Sequence, residues 1–183
     1  MSELQVASRY AKSLLDLAKE QNAVDAIKTD MESFIKVCKA NHELVAVLKN
    51  PVVPHAKKIA ILSEIFGKEV HPVVISFFKI VTNKGRGEIL YATAKEFINE
   101  FNRQKGIVKA RVVSAESLSD ENKKEIIDVV KQNTSANEVI LETKIDPDLI
   151  GGFVLTVGDK QFDASISNQL NTLKKSFAQK VVA

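Results

Sequence analysis

Apolar residues recur every three or four positions through the first hundred residues and alternate with polar ones after Gly106, so the periodicity changes once along the chain. The first pattern predicts six helices. They run from about Glu3 to Gln21 with Asn22 as a stop, Val24 to Ala40, His42 to Lys49, Pro54 to Phe66, Pro72 to Asn83 and Glu88 to Gln104. The second helix shows the stripe plainly, with Ile27, Met31, Phe34, Ile35 and Cys38 on one side. Punctuation agrees with these bounds. Asn50-Pro51 ends the third helix, Gly67 is expected to cap the fourth, and Pro72 suits the first turn of the fifth. Lys84-Gly85-Arg86-Gly87 is a turn and Gly106 stops the sixth helix. Six helices with short connections make an antiparallel bundle.

Beyond Gly106 the pattern is mixed. Ile107 to Val113 alternates, with Lys109 and Arg111 on one face, as a strand does. Ser119 opens a helix whose apolar face is Ile126, Ile127, Val129 and Val130. Val139 to Ile145 and Phe153 to Val157 are strands, and Gly158-Asp159 turns into a short strand at Gln161-Phe162. Pro147 makes a turn that Asp148 is placed to cap. Ser165 opens a last helix with Ile166, Leu170, Leu173, Phe177 and Val181 on a narrow stripe. The expected class is therefore α+β in two domains. A six-helix bundle over residues 1–105 precedes a small α+β domain over 106–183, with a short mixed sheet and two helices.

Two helices carry more apolar surface than one packing contact requires. On the first, Val6, Leu17, Tyr10, Leu14, Ala7, Ala18, Ala11, Leu4 and Leu15 sweep roughly 180° at 100° per residue. An ordinary amphipathic helix needs little more than about 100°. One edge, Ala7, Ala11 and Ala18, is small and suits close packing. The other, Val6, Tyr10 and Leu17 beside Ser13, suits a partly wet contact because tyrosine has an apolar ring and a polar tip. On the fifth helix the apolar arc from Ile80 through Val73, Phe77, Val81, Val74 and Phe78 to Ile75 spans roughly 220°. Either that helix is central to the bundle, or the first and fifth helices leave a groove for a partner helix. In the second case the groove would be lined by Val6, Tyr10, Ser13 and Leu17, and by Val73, Phe77 and Ile80, whose edge is flanked by Ser76 and Asn83.

Composition narrows the function classes. The 26 basic and 23 acidic side chains leave +3 overall, divided as +4 up to Lys105 and −1 beyond it, so neither part is a basic domain. With no tryptophan and two tyrosines, an aromatic platform for nucleic acid is not expected. The pairs Lys57-Lys58, Lys123-Lys124 and Lys174-Lys175 read as solvated faces. His42, His55 and His71 share no metal-ligand spacing and read as surface residues, and Cys38 lies on an apolar stripe as an inert core thiol. The glycine pairs lack the strand–loop–helix order of a phosphate cradle. No apolar run approaches a membrane span, and the start Met1-Ser2-Glu3-Leu4 has neither a signal nor a transit pattern. No catalytic site, cofactor or metal is expected, and a secreted or integral-membrane protein is not.

Three stretches carry a family resemblance. They are Arg9 to Ala18; Asn83-Lys84-Gly85-Arg86 with Ile89-Leu90, Phe97, Gly106, Val112 to Ala115 and Leu118-Ser119; and Ile145-Asp146-Pro147-Asp148-Leu149-Ile150-Gly151-Gly152-Phe153 with Gly158-Asp159, Asp163-Ala164-Ser165, Leu170 and Leu173. Together they resemble the delta subunit of bacterial F-type ATP synthases, of the oligomycin-sensitivity-conferring protein family. Ala164 stands where that family usually has glycine, and Gly87 where it often has leucine. The resemblance implies a non-catalytic stator of a proton- or sodium-driven synthase. Its bundle would take the N-terminal helix of an alpha subunit between the first and fifth helices. Its second domain would meet the b subunit of the peripheral stalk. Asp146, Gly151, Gly152, Asp163 and Ser165 would be structural motif residues of that domain. The implied place is the cytoplasmic side of a bacterial inner membrane, reached only through the complex. A stand-alone helix-binding adaptor would share the groove, so the third stretch is what speaks against it. An RNA-binding protein and a small enzyme find no support in the residues.

Overall fold

The computed structural model describes residues 3–67, 69–134 and 136–181, with side chains as far as Lys174, so Lys175, Phe177 and Val181 lie outside the described side chains. The helices are α1 (Glu3–Glu20), α2 (Val24–Ala40), α3 (His42–Lys49), α4 (His55–Phe66), α5 (Pro72–Asn83), α6 (Leu90–Lys105), α7 (Asp120–Thr134) and α8 (Ile166–Val181). The strands are β1 (Ile107–Ser114), β2 (Glu138–Ile145), β3 (Phe153–Val157) and β4 (Lys160–Asp163). The chain divides into two compact units between Phe101 and Asn102, inside α6 and upstream of the change in periodicity at Gly106.

In the helical unit, the core is built from the stripes that periodicity marks. Ala7, Ala11, Leu14, Leu15 and Ala18 of α1 are buried, as are Ile27, Met31, Phe34 and Cys38 of α2. Phe34, Phe66 and Phe78, from α2, α4 and α5, form a ring cluster with centroids 5.3, 4.7 and 6.3 Å apart. Each such pair adds about 0.5–1.5 kcal/mol beyond its area burial. Burial pushes the Cys38 thiol up to about 11, so it packs as a small apolar group.

Three local readings need correction. Lys58 is buried, not solvated, and its Nζ donates to Leu48 O at 2.7 Å, placing a cation at the carboxyl end of α3. His71 is no free surface residue. Its Nδ1 accepts from the Val73 N–H at 3.4 Å, capping α5, and its own N–H donates to Asp30 Oδ2 at 2.8 Å. Gly67 caps α4 as its place in the sequence predicts, in right-handed geometry at φ −60° with its N–H bonded to Ser63 O at 2.9 Å. A 3-10 turn over Gly87–Ile89 precedes α6, which begins at Leu90 rather than Glu88.

In the second unit the sheet order is β2-β1-β3-β4. β1 and β2 are parallel, joined through α7, while β1–β3 and β3–β4 are antiparallel, so the sheet is mixed. Ala110 lies opposite Leu141 and Val157, and Val112 opposite Thr143 and Leu155. That register turns one face toward α7, where Ala110, Val112, Val139 and Leu155 meet Ile126 and Val130. The exposed residue Arg111 pairs with Glu142 across β1 and β2 at 3.3 Å. Ser119 Oγ accepts from the Asn122 N–H at the start of α7.

The junction between β2 and α8 is built by the motif residues. Asp146, not Asp148, caps the turn: its Oδ1 accepts from the Asp148 N–H at 3.2 Å. An acceptor must precede the donor it caps, which Asp148 cannot do for its own turn. Ile150 is held at φ +65° despite its branched Cβ. Asp163 Oδ1 accepts from Ser165 Oγ at 2.6 Å and from the Ser165 N–H at 2.9 Å, and these two bonds hold its carboxyl below the usual range. Ser165 Oγ in turn accepts from the Asn168 N–H at 3.2 Å, capping α8. Gly152 lies at φ +76°, and a Cβ there would fall 2.3 Å from the Ala164 carbonyl oxygen. At Gly151 a Cβ would meet the movable end of the Ile166 side chain, its Cδ1 at 2.6 Å and its Cγ1 at 3.4 Å, and no backbone.

Gly152→Ala should therefore destabilise by at least about 1–3 kcal/mol, the cost of a left-handed residue alone. Gly151→Ala should cost clearly less. Thermal unfolding of both variants decides this, and an unshifted melting temperature for Gly152→Ala would show that its backbone is free.

Candidate functional site

The first and fifth helices meet at their outer edges. Because Ala7, Ala11 and Ala18 take the buried side of α1, Tyr10 is turned to the boundary between core and solvent. On α5, Val74, Phe78 and Val81 are buried, which turns Phe77 outward. The Tyr10 and Phe77 rings meet edge to face with centroids 6.2 Å apart. Val6 and Val73 are half-buried, like Tyr10 and Phe77, whereas Leu17 is 38% and Ile80 54% exposed. Ile75 is half-buried, so Ile80 marks the open edge of α5, with Ser76 and Asn83 exposed beside it. Ser13 is exposed, and its hydroxyl donates to Arg9 O at 3.0 Å within its own helix. It contributes a small polar surface, not a directed contact.

The structure thus brings Tyr10 and Phe77 into contact and leaves the outer residues of the two helices as apolar surface. It also adds a residue that periodicity gave no means of finding. Arg86, in the turn after α5, donates from a guanidinium nitrogen to Tyr10 Oη at 3.1 Å, and its guanidinium carbon lies 5.8 Å from the centre of that ring. A hollow of about 180 Å³ beside them is lined by Val6, Arg9, Tyr10, Ser13 and Arg86. The sequence marked Arg86 by its place in a glycine turn and in a stretch that carries the family resemblance, neither of which says anything of a ring 76 positions away.

In the second unit, Asp146, Gly151, Gly152, Asp163 and Ser165 gather at one junction, but as turn and cap, with their polar atoms engaged on backbone and on each other. Beside this junction the stripe of α8 remains at the surface, with Ile166, Leu170 and Leu173 between 43% and 52% exposed. Among the described residues no three His, Cys, Asp or Glu side chains gather as metal ligands, and no helix is long and apolar enough to cross a membrane.

These features match one family along nearly the whole chain. The family model for the ATP synthase delta (OSCP) subunit matches residues 6–177. The ATP synthase subunit delta of Cytophaga hutchinsonii is 36% identical over 182 residues, covering 100% of this chain and 99% of that protein. That of Christiangramia forsetii is 37% identical over 175 residues, covering 96% and 94%. In fold, the chain is similar to a chain of the Toxoplasma gondii mitochondrial ATP synthase hexamer solved by cryo-electron microscopy. The TM-score there is 0.71 at 19% identity, over 94% of this chain and 97% of that one. A family match of this span, joined to relatives of this identity and coverage, means that the chain belongs to the ATP synthase delta (OSCP) subunit family, the non-catalytic peripheral-stalk subunits of F-type ATP synthases.

Proposed function

We propose that the chain joins two helical partners in the stator of an F-type ATP synthase: the N-terminal helix of an alpha subunit on the α1/α5 face, and the b subunit of the stalk on the α+β unit. A working division at residues 1–105 and 106–183 follows from the change in periodicity after Lys105. The proposed place is the cytoplasmic side of a bacterial inner membrane, with the membrane reached only through the complex.

The observation that carries the first contact is the Tyr10–Phe77 ring pair at the surface, continued by the exposed side chains of Leu17 and Ile80. Two helices side by side with apolar outer edges offer the seat that an amphipathic helix needs. Val6, Tyr10, Ser13 and Leu17 form one wall of that seat, and Val73, Phe77 and Ile80 the other. Support for the second contact is the α8 stripe. Ile166, Leu170 and Leu173 are spaced four and three residues apart, as in the seam of a coiled coil. A stator must resist torque without turning over a substrate, so affinity here rests on buried apolar area rather than a reactive group.

Tyr10→Asp should place a charge among Val6, Phe77 and the incoming helix, where an unpaired charge is costly unless water reaches it. Titration of a synthetic alpha-subunit N-terminal peptide should show binding weakened at least about tenfold, or 1.4 kcal/mol. Circular dichroism should show the bundle still folded, since Tyr10 lies outside the buried edge of α1. Equal affinities in a folded variant would move the site off this face. A chain ended after Lys105 should unfold cooperatively as a helical unit, because its core contacts lie within it. A far-UV spectrum without helix would reject the division.

A further inference from the structure

Ile150 joins two properties that seldom meet in one residue. Its backbone stands at φ +65° and ψ −36°, which a branched Cβ resists. Its side chain is 67% exposed, so burial in a core does not hold it there. We infer that Ile150 is an anchor for the stalk helix, held outward at the foot of α8 so that the partner sits on Ile150 and the α8 stripe together; this rests on the reading of α8 as the stalk contact.

The turn imposes the conformation. Asp146 Oδ1 accepts from the Asp148 N–H, and the Ile150 N–H bonds Pro147 O at 3.1 Å, closing a 3-10 turn over Pro147–Leu149. The next residue is fixed from the other side. The Gly151 carbonyl accepts from the Ile166 N–H at 3.0 Å, and Ile166 Cδ1 lies 2.6 Å from where a Gly151 Cβ would stand. Reversal of the chain between these two fixed points falls on residue 150. Glycine would make that reversal without strain. What isoleucine adds is an exposed apolar side chain, one residue from the glycine that Ile166 covers. Backbone strain of this kind collects where a side chain serves a contact or a ligand.

The surface that Ile150 joins is short of charge. From Ala164 to Leu173 no side chain is charged, although Ile166, Leu170 and Leu173 are exposed. A helix face meant for water carries charged and polar residues, whereas charge is depleted at the centre of a protein interface. The occupant of such a stripe is an amphipathic helix lying along α8. From Ile166 to Leu173 the stripe spans about 10 Å at 1.5 Å per residue, which is about two turns of a partner. Ile150 lengthens the seat past the first turn of α8, where the helix has no residue of its own. In a chain of the peripheral-stalk family, the helix offered to this unit is that of the b subunit.

The test joins two readouts on the full-length chain: thermal unfolding, and calorimetric titration with a soluble helical fragment of the b subunit. Ile150→Gly should melt no lower than the parent, because relief of the strained backbone offsets the greater freedom of glycine in the unfolded chain. It should nevertheless bind the fragment about three- to tenfold more weakly. Ile150→Leu, which keeps an apolar side chain, should bind within about twofold of the parent. Leu170→Asp should abolish binding and reports on the α8 contact itself. Parent affinity in Ile150→Gly, with binding lost in Leu170→Asp, overturns the inference and leaves the α8 contact standing. So does a lowered melting temperature that accompanies the affinity loss in both Ile150 variants, the mark of a structural role. No binding to the parent chain, or undiminished binding to Leu170→Asp, overturns the reading of α8 as well. Self-association of the parent that Leu170→Asp abolishes, without binding of the fragment, assigns the stripe to a second copy and overturns both.

Discussion

Phe78 and Phe77 are neighbours on α5 and face opposite worlds. Phe78 closes the ring cluster with Phe34 and Phe66 in the core. Phe77 lies against Phe78 on one side, with centroids 6.4 Å apart, and against Tyr10 at the surface on the other. A helix apolar around more than half its circumference cannot bury all of it against one bundle. What is left over is a surface rather than a defect, because α1 has solved its own packing with alanines and sends Tyr10 to meet Phe77. Leu17 and Ile80 are 38% and 54% exposed, so covering what remains would contribute roughly 0.6–1.6 kcal/mol each, the gain that a partner helix would draw on.

The second unit uses different physics. Its β2-to-α8 junction is fixed by backbone approach and hydrogen bonds: Gly152 admits the Ala164 carbonyl, Asp163 orients Ser165, and Ser165 caps α8. None of these atoms is left over for chemistry. Their effect is to start α8 at a set point and direction, with Ile166 bonded through its N–H to Gly151 O at 3.0 Å. The exposed stripe of α8 thereby begins from a rigid base. Both units accordingly present apolar helical surface, and neither holds an assembled reactive site among the described residues.

Legibility followed the range of the interaction. Where periodicity and local punctuation act together, the bounds could be read directly. Val24–Ala40, His42–Lys49 and Phe153–Val157 stand as their patterns predict, and Asn22 stops α1 in a left-handed turn at φ +52°. The split of α1 into an alanine edge inside and a tyrosine edge outside was legible for the same reason. Partners distant in sequence were not. Lys58 looked like one of two solvated lysines until Leu48 O supplied its acceptor, and His71 looked free until Val73 and Asp30 engaged it. The order β2-β1-β3-β4 has no local signature, because β1 pairs with one strand beyond α7 and another beyond the Asp146 turn. The contact of Arg86 with Tyr10 was hidden for the same cause: the turn and the motif were legible, but the partner lies 76 positions away.

The central claim is that the outer edges of α1 and α5 are a seat for a helix and not merely imperfectly covered core. Amide chemical-shift mapping of the isotopically labelled full-length chain, titrated with the alpha-subunit N-terminal peptide, tests it most directly. The account predicts shifts concentrated at Val6, Tyr10, Ser13 and Leu17 and at Val73, Phe77 and Ile80, with the residues of the sheet unmoved. Shifts confined to residues beyond Gly106, or spread evenly over buried positions such as Phe34 and Phe78, would contradict it.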